Sequence, residues 1–249
     1  MRILFRAFLC ITCAFVVVPA TNGFLTRHAH VAGQAIQSSC RHRRRHQGCD
    51  AVKIDGYDDA FAIIDECAVT GTPSDNLYDA VRFIDKNALK IYPTLQHKQE
   101  LWDQAHGSWK LQLATGGGKF KTFKPIPIFA FAMIDEQTFG NGVGWNEHFI
   151  LLSLRGPHIF RDKIRQMIIT IQDMYLGGSC VTQWLPGFIK DGMGLGKTSL
   201  DDFQNRRPPA FTMIAASDKA LVARGGSGGI AIWSRLENDI RPSAYKTKE

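Results

Sequence analysis

The sequence predicts a mainly β fold, an antiparallel β-barrel preceded by two or three N-terminal helices. Hydrophobic residues recur at helical spacing up to residue 105 and at a spacing of two from residue 109 onward. Short apolar segments joined by Gly-rich turns make up most of the remaining chain, and no helical segments alternate between them. This arrangement favours a barrel or a sandwich over a parallel α/β sheet.

Charge is distributed unevenly along the 249 residues. Of the 30 Lys and Arg residues, seven lie in residues 1–49, and the other 23 face all 23 Asp and Glu residues in the rest of the chain. The formal net charge of +7 therefore comes from the first 49 residues alone. The basic isoelectric point is then no argument for nucleic acid, and we expect no nucleic-acid partner.

Residues 1–23 have the features of a secretory signal peptide. Arg2 and Arg6 precede an apolar segment, and Thr21 and Gly23 then supply small side chains at the −3 and −1 positions of a cleavage site. The apolar segment is shorter than the ~20 residues of a spanning helix, so a retained anchor is the weaker interpretation.

Residues 24–49 are rich in Arg, His, Ser and Gln and contain no acidic residue, which is typical of an organelle transit peptide. A signal peptide followed by a transit-like segment that opens with Phe24 resembles the bipartite leader of algae whose plastids lie inside the endomembrane system. The resemblance implies a plastid location, and plain secretion is the alternative.

The N-terminal part of the remaining chain, residues 50–106, is expected to be helical. The apolar spacing predicts three helices, over residues 57–67, 77–89 and 95–105. Gly107 ends the third helix, because glycine readily leaves the helical conformation at a C-terminus.

Residues 107–237 are assigned to the barrel. Trp109, Leu111 and Leu113 alternate with more polar residues, which predicts a strand with one dry face. Residues 126–134 and 149–154 are apolar on both faces, and such strands need cover on each side, from the core and from a helix, a partner or lipid.

The end of the barrel is predicted to consist of two successive antiparallel hairpins. Residues 210–216 and 220–224 flank Ser217-Asp218-Lys219, and a Gly-rich turn then leads to residues 230–235. Residues 238–249 are expected to form a flexible tail.

The entrance to the first predicted strand is Gly107-Ser108-Trp109, which follows a helix. A glycine that lets the chain turn, followed by a Trp that enters the barrel floor, is the arrangement of lipocalin-like barrels. Together with the runs over residues 109–115 and 217–233, it resembles the plastid lipid-associated protein family, also called fibrillins, across roughly residues 60–237. The resemblance implies a lipocalin-like barrel that binds lipids, prenylated quinones or carotenoids without catalysis, at plastoglobules or thylakoid membranes.

Candidate ligand-binding residues follow from side-chain size along one strand. Phe129, Phe131 and Met133 share one face of residues 126–134, and Ile128, Ala130 and Ala132 share the other. We expect the large set in the ligand cavity or on a lipid-facing rim, with core packing as the alternative. The predicted ligand-binding residues are Phe129, Phe131, Met133, Trp109 and Ile169.

Closure of the barrel floor is assigned to Gly107, Trp109 and Arg224. Arg224 is expected to lie across the Trp109 ring in a cation–π contact. Arg235, on the neighbouring strand, is the alternative. We expect these roles to be structural rather than chemical.

Catalytic and metal-binding patterns are missing from the sequence, so we predict no enzyme and no cofactor. The stretch Asp191–Thr198 has Asp191 where a phosphate-binding loop needs glycine. His97, His106, His148 and His158 are dispersed and are interpreted as surface or packing residues. Two alternatives remain: a peripheral coat protein of plastid lipid bodies without a discrete ligand, and, less favoured, a lipid-modifying enzyme.

Overall fold

The computed structural model describes residue 54 and residues 56–117, 120–196 and 208–237. The predicted signal peptide (1–23), transit-like segment (24–49) and tail (238–249) lie outside the described residues.

The region before the barrel is helical, as predicted. The four helices described there are α1 (Tyr57–Thr70), α2 (Leu77–Lys86), α3 (Ala88–Ile91) and α4 (Leu95–Ala105). The predicted second helix is divided into α2 and α3 at Asn87, whose side-chain Nδ2 donates to the carbonyl oxygen of Phe83 at 2.9 Å. Thr94 caps α4, because its hydroxyl accepts a hydrogen bond from the His97 backbone N–H at 3.2 Å.

Eleven strands follow in the described residues. They are β1 (Gly107–Ala114), β2 (Lys124–Pro125), β3 (Phe129–Ile134), β4 (Thr138–Asn146), β5 (Phe149–Arg161), β6 (Gln166–Ile169), β7 (Asp173–Leu176), β8 (Ser179–Cys180), β9 (Ala210–Ala216), β10 (Ala220–Gly225) and β11 (Ile230–Arg235). A short helix, α5 (Gly187–Met193), lies between β8 and β9.

Eight of these strands close into an antiparallel ring. Its order is β1-β3-β4-β5-β6-β9-β10-β11, and β11 pairs with β1. The final hairpins β9-β10 and β10-β11 match the predicted segments. The antiparallel barrel preceded by helices is therefore confirmed, with a strand number whose interior is filled by side chains or holds one small ligand.

On one side of the ring, β5 has two successive partners along the same edge. Residues 158–161 of β5 pair with β6, which passes on to β9, and residues 152–155 pair with β7, which leaves the ring toward β8. Residues 185–195, which follow β8, pack over this side. Leu185, Met193 and Leu195 contact Leu154 and Ile171 there.

Helices α1 and α2 cover one part of the barrel, which we call the helix-covered wall and define as β1, β9, β10 and β11. Its outer face forms a buried core with the helices through Ile214, Val222 and Ile232. An irregularity in the pairing of β1 with β11 falls between Leu111 and Leu113. As a result Leu111 faces the barrel interior and Leu113 faces the helices, so the predicted common dry face is wrong at this point.

Strands β3 and β4, which we call the open wall, contribute no residue to the core under the helices among the described residues. Cover on its outer face comes from within the sheet. The large side chains of β3 each stand directly opposite a glycine of β4, in the pairs Phe129–Gly144, Phe131–Gly142 and Met133–Gly140. Phe131 is consequently only 3% exposed although its ring lies on the outside of the barrel.

Candidate ligand cavity and barrel floor

The barrel encloses an apolar cavity of about 50 Å³, taken as the space open to the centre of a water molecule. Small side chains on its wall leave this space. Ala130 and Ala132 of the open wall and Ala223 of β10 line it on one part, and the larger Phe139, Phe211 and Trp233 line it on others. The rings of Phe139 and Phe211 are 6.0 Å apart.

The faces of β3 are the reverse of the cavity placement expected for the large residues. Trp109 of the inner core is paired with Ala132, and Lys110 with Phe131, so the alanines face inward. Phe131 is among the residues of the cavity wall, but its ring is directed to the glycine on the outer face. Phe129 stacks beside it there, with ring centroids 6.1 Å apart. The alternation along β3 predicts two sets of residues, one on each face, but it does not indicate which set faces the interior.

Gly142 is required where the Phe131 ring lies. A Cβ at position 142 would be 2.7 Å from Cε1 of Phe131 and 2.8 Å from Cβ of Ser153, and it would also clash with the carbonyl oxygen of Leu152. Contacts this short force neighbouring atoms to shift. The aromatic ring therefore occupies the volume that a side chain on β4 would otherwise take.

Trp109 lies near the start of β1 beside α4, at the end of the barrel that we call the floor. Its side chain is fully buried, and its Nε1 donates a hydrogen bond to the carbonyl oxygen of Ala105 at 2.8 Å. This bond fixes the indole to the last turn of α4. The polar group of a buried Trp is thereby satisfied, as such groups generally are.

The cation over this ring is Arg235, with its Cζ 4.1 Å from the ring centroid. Its guanidinium donates to the carbonyl oxygens of Gln104 (2.8 Å) and His106 (2.9 Å) at the end of α4, and to those of Asp218 (3.0 Å) and Ser217 (3.3 Å) in the β9–β10 turn. Arg235 thus joins the helix end, the turn and the floor.

Gly107 makes room for this contact. Its φ is 127°, which side chains rarely adopt, and a Cβ there would be 2.7 Å from Nη1 of Arg235. The predicted role of Gly107 in floor closure therefore has a direct steric reason.

The assignment of Arg224 to the floor is wrong. Arg235 is the direct cross-strand partner of Trp109, whereas Arg224 pairs with Ile230 at the opposite end of β11. Arg224 instead donates to Oδ2 of Asp85 at 2.6 Å and fixes α2 to the barrel. The choice between the two arginines depends on the strand register, which the sequence does not reveal.

The remaining predicted ligand residues are near the cavity without forming its wall. Trp109 and Ile169 belong to the inner core, while the cavity is lined instead by Met167, Phe211, Met213 and other residues. Met133 is buried over Gly140 on the outer face, where its Cε is 3.5 Å from the position of a Cβ on that glycine. The sequence feature that indicates the cavity wall is the set of small residues on β3, Ala130 and Ala132.

A second aromatic cluster lies where α4 meets the barrel. Trp102 stacks on Phe160 with ring centroids 4.4 Å apart, and its ring edges contact His106 at 4.9 Å and His158 at 5.1 Å. Nε2 of His158 is 2.8 Å from the carbonyl oxygen of Asp135, so this nitrogen is the donor in the neutral ring. Both histidines pack against aromatic residues, in agreement with the packing role predicted for them.

Burial lowers the pKa of His158 below its ordinary value, because the charged ring would lose its hydration. The Asp135 carbonyl and carboxylate oppose the shift, and the nearby His106 adds to it. Nδ1 of His158 and Nε2 of His106 are buried without a hydrogen-bond partner among the described residues. The cluster therefore favours the neutral form of His158.

No group of three or more His, Cys, Asp or Glu residues in the described ranges is placed to hold a metal ion. No helix in the same ranges is long and apolar enough to cross a membrane. Cys67 and Cys180 are both free thiols. The described part of the Gly-rich stretch, residues 191–196, ends α5 and turns beside Ile171.

No protein-family model matches the chain, and no curated protein matches it. Among solved structures, the chain is similar to a lipocalin-like protein from Bacteroides uniformis, with 12% identity, a TM-score of 0.34 and coverage of 53% of this chain and 99% of that chain. It is equally similar to an uncharacterized protein from Bacteroides eggerthii, with 12% identity, a TM-score of 0.34 and coverage of 53% and 98%. Scores this low carry no argument about function, and the barrel rests on the strand pairing described above.

Proposed function

We propose that this protein binds an apolar small molecule, a lipid, a prenylquinone or a carotenoid, inside its barrel and does no chemistry on it. The observation that carries the proposal is the apolar cavity in the barrel, which is lined by Ala130, Ala132 and Ala223. Apolar pockets of this kind are the usual sites of small hydrophobic ligands. Residues 1–49 and the fibrillin-like segments add the proposal that binding takes place in a plastid, at plastoglobules or thylakoid membranes.

The size of the cavity limits how the ligand is held. About 50 Å³ is small beside the roughly 300–1,000 Å³ of pockets that enclose drug-sized ligands. One slim end of an alkyl or prenyl chain fits, and the rest of the molecule leaves the barrel. We place the exit on the side where β7 departs, because Leu154 lines the cavity there, beside the point where β5 changes partner from β7 to β6.

The test is to purify the protein, extract it with organic solvent and identify what is released by mass spectrometry. We expect a lipid, quinone or carotenoid in stoichiometric amount. Ala132→Leu should remove it by filling the cavity, whereas Met133→Leu, on the outer face of the same strand, should retain it. No stoichiometric apolar molecule in the wild-type extract contradicts the proposal, and so does turnover of the extracted molecule that a single His or Asp substitution abolishes.

A peripheral coat protein of lipid bodies is the second candidate, and exposed aromatic residues favour it. Trp184 and Phe188, on the segment that covers the side of the barrel, are each 77% exposed. Trp145 and Phe149 flank the β4–β5 turn, are 67% and 56% exposed, and have ring centroids 5.9 Å apart. Aromatic side chains are well suited to a lipid–water boundary.

Flotation with oil droplets separates the two candidates. A coat protein without a ligand floats with the droplets, loses flotation when Trp184 and Phe188 are both changed to Ser, and yields no stoichiometric extract. A ligand carrier yields the extract whether or not it floats, and Ala132→Leu removes the extracted molecule without changing flotation.

The proposed location has its own test. A fluorescent fusion to the whole chain, expressed in an alga with a plastid of the type described, should enter the plastid. The same fusion without residues 1–49 should stay in the cytosol. Secretion of the full-length fusion would contradict the plastid proposal and leave ligand binding unaffected.

A further inference from the structure

Asn141 is a polar residue on the inner face of the open wall. It pairs with Ala132 of β3 on one side and with Leu154 of β5 on the other, and all three line the cavity. Phe139 and Val143, two positions before and after it on β4, line the same cavity. The half-buried Asn141 side chain therefore lies on the inner face of β4, among apolar residues.

Nothing in the described residues forms a hydrogen bond with the side chain of Asn141. The other polar side chain of the cavity wall, Ser153, stands opposite Gly142 and belongs to the outer face of the sheet. An amide carries two N–H donors and a carbonyl acceptor, and holding it in an apolar site without a partner is unfavourable. Leu or Val at this position would pack the wall without that cost.

We infer that Asn141 determines ligand specificity by donating a hydrogen bond to a carbonyl oxygen on the bound molecule. The inference rests on the proposed function and narrows its ligand class to apolar molecules that carry a ketone, quinone or ester oxygen. A plain hydrocarbon, such as an unsubstituted carotene, leaves the amide unpaired and is selected against. Discrimination of this kind arises because a polar group in the site stays unsatisfied with the wrong ligand.

Two small probes of matched shape test the inference, 2-heptanone and heptane. Binding of each to the full chain is measured from its vapour above the protein solution, because both are volatile and heptane is poorly soluble. Asn141→Leu removes the amide and keeps a similar shape. Val143→Leu is the matched control, since it adds apolar volume on the same face of β4 without touching the amide.

We expect Asn141→Leu to weaken 2-heptanone binding about tenfold, the value of one neutral hydrogen bond at its upper range, and to leave heptane binding unchanged or stronger. Val143→Leu should affect both probes alike. A parallel change of the two probes in Asn141→Leu overturns the inference and leaves the proposed function standing. Failure of the wild-type protein to bind either probe overturns both.

Infrared spectroscopy gives a measurement on the wild-type protein that does not depend on how the variant folds. The carbonyl stretch of bound 2-heptanone should fall to lower frequency than in an alkane solvent, as hydrogen bonding weakens the C=O bond. A stretch at the alkane value overturns the inference. In Asn141→Leu the stretch should return to that value.

Discussion

The two walls of the barrel bury their outer faces by different means. On the helix-covered wall, Ile214, Val222 and Ile232 face outward and are sealed by α1 and α2. On the open wall, Phe131 lies across Gly142 of the neighbouring strand and shields the sheet without a helix. The inner positions that alternate with these large residues on β3 are Ala130 and Ala132, and the cavity lies against them. The residues that cover the outer face and the residues that leave space inside therefore alternate along one strand, β3.

The largest effect is expected at Trp109, on the strand that joins the two walls by pairing with both β3 and β11. Trp109→Ala should lower the free energy of unfolding by about 3–5 kcal/mol, as removal of a buried aromatic side chain does. Denaturant unfolding measures it. Trp145→Ala is the control, because that side chain is exposed, and it should change stability by less than about 0.5 kcal/mol. Similar losses of stability in the two variants would contradict the interpretation that Trp109 forms a floor shared by the two walls.

The open wall itself is tested by Gly142→Ala. The new Cβ must displace the Phe131 ring and the Leu152 carbonyl, which should cost about 1–3 kcal/mol, as overpacking does. Gly117→Ala has no heavy atom within 4 Å of its new Cβ, so its stability should stay near the wild-type value. If thermal unfolding detects no difference between the variants, the aromatic cover is not what stabilises this wall.

A smaller effect is expected for the two arginines of the helix-covered wall. Arg235→Lys loses the planar group that contacts Trp109 and several carbonyls at once, at a cost of about 1–2 kcal/mol. Arg224→Lys keeps a positive charge beside Asp85 and should cost less than about 1 kcal/mol. Chemical denaturation of both variants checks the order. A larger loss in Arg224→Lys would show that the ion pair to α2, rather than the floor, holds this wall.

The smallest effect concerns pH. The folded pKa of His158 is lowered mainly by burial, so the unfolded chain binds more protons as pH falls and folding loses stability. The contribution is fully present above the ordinary pKa of about 6.5 and is lost as pH falls through the lower folded value. Melting temperatures from pH 8 to 5 should decline less steeply in His158→Gln than in the wild type. The exposed His148→Gln should keep the wild-type slope, and an unchanged slope in His158→Gln contradicts the assignment.

Much of the architecture could be predicted because it depends on local patterns. The period change near Trp109 and the turns at residues 217–219 and 225–229 placed the helices and the final hairpins. Which face of β3 points into the barrel could not be predicted from its own alternation. A strand with apolar residues on both faces has the same sequence pattern whichever face points inward. The signal lay in the next strand, where Gly140, Gly142 and Gly144 alternate and require large side chains opposite them.

Parts of the site depend on strand register and could not be predicted from the sequence. Arg235 rather than Arg224 lies over Trp109 because of which residues of β11 face β1. The shift between Leu111 and Leu113 changes the facing of half a strand, and a single sequence contains no mark of it. The position of Asn141 at the cavity follows from its pairing with Ala132 and Leu154, which the sequence does not specify.

The hydrogen bonds of the Arg235 guanidinium are all made to main-chain oxygens, at residues 104, 106, 217 and 218. Every amino acid carries that oxygen, so these four positions can change identity without removing an acceptor from the guanidinium. Substitutions at the end of α4 and in the β9–β10 turn are therefore compatible with an unchanged contact between Arg235 and the floor. The contact between the guanidinium and the floor depends on the identity of three residues, the glycine, the tryptophan and the arginine.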